Sequence, residues 1–414
     1  MTRADSNKYW DLANLKKWQK QSLLHSNFTW RTQQDQALED FIEQGFPTRK
    51  IENWKYTNLT ALAESEFKLS SPLSFSPAEQ ASDFYRVQFY NGQFCGVSHV
   101  ADLPHGVIIA DLKSVIDKVE NFELPEIYKT VFSELNLATM SDGVFIFIPE
   151  GVELKKPIHL VYETDADYMN SPRHIIHLAT HARASFFCEY WGSANYFNNI
   201  VERIHLESRA HLNYCKLQHE ALNSFHISNM VAELQHDAHL RCCHFGIGAQ
   251  ISRDDINIDL QGRGAQCELY GLYMPDEQRL IDFHTRIDHV APHSQSSQLY
   301  KTIVADKARA VFNGKVVVAQ DAQKISAKQK NANLLLSKNA EVDSKPELEI
   351  YADDVQCTHG ATIGQLDATA LFYLQSRGID KITAKKMLTE AFAKEIFDLI
   401  DNAQIEKYLD EILC

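Results

Sequence analysis

The sequence predicts a mainly β chain whose body is a stacked solenoid of strands, set between N-terminal and C-terminal α-helical regions. Three observations carry this. Six stretches in the middle of the chain place an apolar residue four positions before a small one: Leu178 to Ala182, Leu206 to Ala210, Leu234 to Ala238, Leu260 to Gly264, Val290 to Ser294 and Val318 to Ala322. Their leading positions are 28, 28, 26, 30 and 28 residues apart. Each unit also alternates apolar residues, as in Ile176/Leu178, Ile204/Leu206, Ile258/Leu260 and Val316/Val318, the period of a strand whose alternate side chains share a face. A strand period inside such a repeat means coils that bury their apolar faces against one another, because no single coil does so alone. The result is a long, stiff surface in place of the crevice of a doubly wound nucleotide-binding sheet.

The other elements follow in chain order. Residues 1–75 form a helical region: Tyr9, Trp10, Leu12, Leu15, Trp18, Leu23 and Leu24 recur at three and four spacings, Ala37, Leu38, Phe41 and Ile42 do so again, and Gly45-Phe46-Pro47 stops the run. Residues 76–142 are a mixed connecting region, where Asn91-Gly92 and Leu103-Pro104 break short apolar pieces into hairpins and a further helix lies between Glu120 and Asp142. The solenoid covers 143–366, opening with the strand Val144 to Ile148. Residues 367–414 are helical again. Asp367 caps a helix over Ala368 to Ser376, Gly378 ends it, and a second helix from Thr383 sets Met387, Leu388, Ala391, Phe392, Ile396 and Leu399 on one side, before a last helix from Ile405 to Leu413.

Bulk properties exclude several classes. A chain of 414 residues with 44% hydrophobic content exceeds one ordinary core. A formal charge of −14 lacks the basic stripe that nucleic acid or an anionic membrane requires. No run reaches the roughly 18 apolar residues of a membrane span, and the opening residues lack the apolar core of a signal peptide. Eight cysteines with no Cys-x-x-Cys are expected to be reduced thiols of a cytoplasmic protein.

Eighteen histidines raise a metal hypothesis, which strand geometry tests. Residues three apart, such as His174/His177 or His236/His239, point to opposite faces and cannot share an ion. Residues two apart share a face, and two segments there combine thiol with imidazole: Cys242-Cys243-His244 and Cys357-Thr358-His359. Cys242 has the parity of Ala238 and Leu240 and is expected inside the coil, with Cys243 exposed on the outer face. Cys357 shares parity with Val355, but here the solenoid gives way to the tail, and Asp353, Asp354, Cys357, His359 and Gly360 gather where another chain could reach them. A thiolate and a neutral imidazole suit iron or bound sulfur. No Gly-x-x-x-x-Gly-Lys-Ser/Thr, Gly-x-Gly-x-x-Gly or Gly-x-Ser-x-Gly occurs, so any coupled ATP hydrolysis belongs to another subunit.

Four runs then carry a family resemblance: Lys301 to Gly314, Asn333 to Leu336, Ala340 to Ile350 and the Cys-Thr-His-Gly block at 357–360. They resemble the SufB/SufD family of iron–sulfur cluster assembly proteins. The head segment Phe46 to Thr57 and the chain length look like the SufD branch; SufB-like chains are usually longer and carry a cysteine-rich stretch that is missing here. The resemblance implies a right-handed parallel β-helix between helical domains, in agreement with the repeats. It implies edge-to-edge pairing of β-helices with a SufB-like paralogue, a SufC-like ABC ATPase held on the helical tail, and persulfide sulfur received from a cysteine desulfurase. A nascent iron–sulfur cluster at the paralogue interface is implied too, sometimes with reduced flavin (FAD) in the complex, and no cofactor on the isolated chain.

Carried over by residue, His359 matches a histidine that faces a cysteine of the paralogue, as a candidate metal ligand shared between chains, and Cys357 matches a nearby cysteine. The segment Leu366 to Ile400 is the expected ATPase dock, with Leu371, Tyr373, Arg377 and Met387 as contact candidates; a cap over the solenoid end is the plainer role for it. The chain is thus expected to be a non-catalytic scaffold subunit of a SufBCD-type complex, with monomer and homodimer both open for the isolated chain. The alternatives are a self-sufficient metalloenzyme using the His-rich body, and a secreted β-helix enzyme with carboxylates and basic residues along a groove.

Overall fold

The computed structural model describes residues 10–21, 28–69, 83–118, 125, 128–140 and 142–413. Tyr9, Leu23 and Leu24, invoked for the first helices, lie outside the described residues, as does Cys414. The head contains α1 (Leu12–Gln21), α2 (Phe28–Gln44), α3 (Thr60–Glu64), β1 (Lys68–Leu69), β2 (Tyr85–Tyr90), β3 (Gln93–Val97), β4 (Ile108–Asp111), α4 (Leu112–Lys118) and α5 (Val131–Thr139). The hairpin of β2 and β3 turns on Asn91 and Gly92, both at positive φ, which is what a tight two-residue hairpin turn requires.

The body starts with β5 (Val144–Ile148), β6 (Ile158–Thr164), β7 (Tyr168–Asn170), β8 (Arg173–Leu178), β9 (Arg183–Gly192), β10 (Phe197–Leu206), β11 (His211–Gln218), β12 (Phe225–Leu234) and β13 (His239–Gly246). It continues with β14 (Ile251–Leu260), β15 (Gln266–Tyr273), β16 (Leu280–His289), β17 (Gln295–Val304), β18 (Arg309–Val318), β19 (Ile325–Leu335), β20 (Glu341–Ile350) and β21 (Val355–Gly364). These form a parallel β-solenoid of about eight turns. Even-numbered strands from β8 to β20 build one sheet and odd-numbered strands from β9 to β21 the other; β4 and β5 extend the first, and β6, β2 and β3 the second. Ile176, Leu178, Ile204, Leu206, Ile258 and Leu260 all face the core between the sheets, so the alternation read from the sequence sets the inward face.

The repeat slips at Val290. Leu260 pairs with His289, and His289 with Val318; Val290, expected inside, is 49% exposed. The amides of Val290 and Ala291 both point at the Leu260 carbonyl, a bulge that adds one residue to this corner. His289 takes the inward place because Ser294 and Ser296 satisfy its ring nitrogens at 2.8 and 2.9 Å. The preceding corner also holds an extra residue: Ala265, not Gly264, is the buried small residue. Gly264 instead supplies the positive φ that His181, Arg209, Asp237 and His293 adopt at the equivalent corners.

The head helices pack on the outer face of the first sheet, Trp10, Leu15, Trp18, Leu38 and Phe41 against Phe197, Phe225, Ile227 and Ile251. The segment Phe46 to Thr57 is a clamp. Arg253 stacks 3.8 Å from the Trp54 ring centre and donates to the Asn53 carbonyl (2.7 Å) and to Asp282 (2.8 Å), which also accepts from the Thr57 hydroxyl.

The tail comprises α6 (Ala368–Ser376), α7 (Lys381–Phe397) and α8 (Ala403–Leu413). Asp367 caps α6 through the Thr369 and Ala370 amides, and Asp380 caps α7 through Ile382 and Thr383. Ala393, Ile396, Ile405 and Leu409 pack on Phe187, Leu217, Phe245 and Leu272. The tail therefore covers the outer side of the second sheet, and among the described residues nothing caps the end of the solenoid. Among the described residues no helix is long and apolar enough to cross a membrane.

Candidate functional site

The solenoid ends in two free edges. Among the described residues β21 pairs only with β19, and β20 only with β18, so each presents a row of unpaired backbone N–H and C=O groups. Cys357 stacks on Ala327 and His359 on Gln329, which places both on the face that lines the interior in the coils below. Cys357 is half-buried at the rim of a small cluster formed by Val316, Val318, Ala322, Ile325, Ala327 and Ala352. Burial pushes its thiol pKa up, against a smaller lowering by the Ala327 backbone, so the thiol is protonated near neutral pH. His359 is exposed, and a Cβ added at Gly360 or Gly364 would meet nothing within 4 Å. Around them Ile350, Tyr351 and Ile363 are exposed, Tyr351 at 63%. The sequence signal for Ile350 and Ile363 was the apolar parity of strands that a further coil would bury, whereas Tyr351 follows β20 and carries no parity signal.

Asp353 and Asp354 lie exposed in the turn before β21. Cys357 and His359 sit two residues apart on one strand and offer at most two ligands. Among the described residues no group of three or more His, Cys, Asp or Glu side chains could hold a metal ion.

The His-rich body uses its imidazoles in local pairs. His159 and His219 bracket Glu189 at 3.0 and 3.1 Å, His177 meets Glu207 at 2.9 Å, His239 meets Glu268 at 3.0 Å and His226 meets Glu220 at 2.9 Å. Burial acts to raise the Glu189 pKa, but the hydrogen bonds from His159 and His219 outweigh it and hold the carboxyl at about 2. His174 points inward and His177 outward, as strand geometry requires. Cys242 is inside the coil. Cys243 is outward yet buried, because the tail lies over it and its Sγ is 3.8 Å from the Leu399 carbonyl; the expected exposure fails because α7 covers this face. On the other sheet Glu233, Asp259 and Asp288 form a register column. Arg203 engages Glu233, Tyr128 Asp259 and Arg286 Asp288, so each carboxylate already has a partner in the fold.

Of the tail candidates, Leu371 is half-buried and Tyr373, Arg377 and Met387 are exposed. Arg377 donates to the Tyr373 hydroxyl at 3.1 Å and lies over its ring. The predicted inner side of α7 is corrected: Ala384, Ala393 and Ile396 are buried, while Met387 and Ala391 face out. Two residues were missed, Phe372 at 72% and Ile382 at 82% exposed. No residue of α6 is buried, despite Ala368, Ala370, Leu371, Phe372 and Leu374 in its sequence. An apolar helix with none of its residues buried among the described residues, and with Phe372 standing out to solvent, is the signature of a binding surface.

Comparison with known proteins gives the family. The chain matches the family model of the SufBD core domain, described as SUF system FeS cluster assembly, over residues 161–392, and that of the SufBD protein N-terminal region over residues 5–160. It is 35% identical over 382 residues to the iron–sulfur cluster assembly protein SufD of Escherichia coli, covering 89% of this chain and 88% of that one. It is 34% identical over 387 residues to an iron–sulfur cluster assembly SufBD family protein of Synechocystis, covering 87% and 85%. SufD of Bacillus subtilis is 24% identical over 404 residues, covering 91% and 92%. With its head and its solenoid both matched, this chain belongs to the SufBD family of iron–sulfur cluster assembly proteins.

Proposed function

We propose that this chain is the non-catalytic scaffold subunit of a SufBCD-type complex in the cytoplasm, and that His359 is its contribution to a nascent cluster built across the interface with a SufB-like paralogue. The observation that carries the proposal is the uncovered terminal coil: two unpaired strand edges, an exposed imidazole on the interior-facing register, and Ile350, Tyr351 and Ile363 around it. Strand edges pair with strand edges, and exposed apolar residues beside them add buried area. Because one strand supplies at most two ligands, the remaining ligands come from the second chain. An imidazole offers iron a nitrogen lone pair, whereas the Cys357 thiol must first lose a proton that burial makes it hold. Cys357 therefore acts second, as a sulfur-carrying or auxiliary ligand.

The exposed apolar residues of α6 and α7 dock a SufC-like ATPase, and its conformational cycle loads the terminal coil through the tail. Sulfur arrives as persulfide, and electrons, from reduced flavin where it takes part, come from outside this chain. The test is anaerobic reconstitution. The isolated chain should hold well under one iron, and adding the paralogue and the ATPase with iron and a persulfide donor should give cluster absorption. Stoichiometric iron on the isolated chain would contradict the proposal.

A further inference from the structure

Gln329 is the polar side chain directly beneath His359. The two are register partners on β19 and β21, so their backbones are one strand spacing apart, roughly 4.8 Å, with side chains leaving the same face. Gln329 is 3% exposed, and neither its amide nitrogen nor its amide oxygen has a hydrogen-bond partner. The fold keeps room for that amide. Across the interior lies Gly314 of β18, where a Cβ would meet Gln329 Nε2 at 2.2 Å. The neighbouring amides are matched at one end at least: Gln298 accepts from the Thr285 hydroxyl at 2.7 Å and Asn331 accepts from Asn333 at 2.6 Å and from Ser344 at 2.8 Å, although Gln298 Nε2 and Asn333 Oδ1 are unpaired too.

A buried amide with both ends unmatched is costly, and such groups are kept where function supplies the missing bond. His359 lacks the complementary bond. A histidine that ligates a metal through one ring nitrogen ordinarily gives its other N–H to a carboxylate or carbonyl oxygen, which fixes the tautomer and the ring plane. Among the described residues His359 has no such acceptor, and the Gln329 amide is unpaired one coil below.

We propose that Gln329 is a positioning residue for His359. When a second chain covers the terminal coil, the Gln329 amide oxygen accepts the imidazole N–H and turns the other ring nitrogen toward iron. The inference rests on the reading of His359 as a cluster ligand and adds the residue that orients it.

The test is an anaerobic Fe(II) titration of the apo complex with paralogue and ATPase, without sulfide, on wild type, Gln329→Met, Gln329→Glu and His359→Ala. Gln329→Met keeps the volume and loses the acceptor; its iron affinity should fall by about 10–100-fold, the usual cost of losing such a partner, with complex assembly and melting temperature unchanged. Gln329→Glu keeps an acceptor oxygen and should bind close to wild type. Adding Gln329→Met to His359→Ala should cost nothing further. Should the thioether not be accommodated, Gln329→Ala against Gln329→Glu makes the same contrast. Wild-type affinity in Gln329→Met, or equal loss in Gln329→Met and Gln329→Glu, overturns the inference while leaving His359 in place. Undiminished affinity in His359→Ala removes the ligand reading and this inference with it.

Discussion

Lys301 Nζ donates to the Phe392 carbonyl at 2.7 Å and lies 4.6 Å from the Phe392 ring centre. This ties the C-terminal half of α7 to β17, two strands from the free edge at β21. Lys301 is buried, and Glu395 completes its shell at 2.5 Å. A load placed on the exposed faces of α6 and α7 therefore enters the body close to the coil that carries His359. A hydrogen bond to a charged group contributes about 1.5–3 kcal/mol. Lys301→Met should raise amide hydrogen exchange at Ala393 and Ile396 by roughly one to two orders of magnitude, with β10 and β12 unaffected. Unchanged exchange in α7 would show that the tail is held without this contact.

Leu206 is fully buried between the sheets. Leu206→Asp places an unpaired carboxylate there and should cost several kcal/mol, roughly the penalty of an uncompensated buried charge plus the lost apolar burial. Expression of insoluble or non-cooperatively melting protein is the expected result. A soluble variant with the wild-type transition would contradict the inward assignment.

His174 gives the fold a defined acid sensitivity. Its Nδ1 accepts from the Val144 N–H at 3.2 Å and its Nε2 bonds the Tyr162 hydroxyl at 2.8 Å, so the buried ring is neutral, and burial holds its pKa down at about 3. Below its ordinary value the unfolded chain takes a proton that the folded chain refuses. Stability is therefore lost as pH falls from about 6.5 toward 3, at up to about 1.4 kcal/mol per pH unit from this group. Urea unfolding between pH 7 and 4 should show a shallower slope, by close to one proton, in His174→Gln than in wild type. Equal slopes would contradict the assignment.

Phe372 and Ile382 define the tail surface better than Met387 does. Phe372→Ser with Ile382→Ser should leave the melting temperature within about 1–2 °C, since neither side chain is buried. Co-purification of the ATPase should fall by at least roughly tenfold, as expected when two apolar anchors are lost. Retained ATPase with both substitutions would place the dock elsewhere.

The solenoid was legible because an inward apolar residue recurs on every coil, and the same parity placed Cys242 inside and Cys357 with His359 on one face. The slip at His289 was not legible. Val290 looks like the better core residue, and only the bulge at the Leu260 carbonyl together with the two serines makes the imidazole acceptable inside. Cys243 was read as exposed because parity says which face a strand residue occupies and nothing about what lies on that face. The tail was misread for a related reason: α7 has apolar residues on several sides, and burial follows which of them meets β15 and β17. Gln329 carried no signal, since an amide on a strand looks like any other until its register beneath His359 and the space at Gly314 are known.

The central claim is that an exposed imidazole on the terminal coil completes a site only when a second chain covers it. The most direct measurement is the cluster absorption of His359→Ala reconstituted with the paralogue and the ATPase, beside its thermal melt. The account predicts an unchanged melt, a complex that still assembles, and cluster yield reduced at least roughly tenfold, as follows when a ligand is removed from a shared site. Wild-type cluster yield in a correctly assembled His359→Ala complex would contradict it.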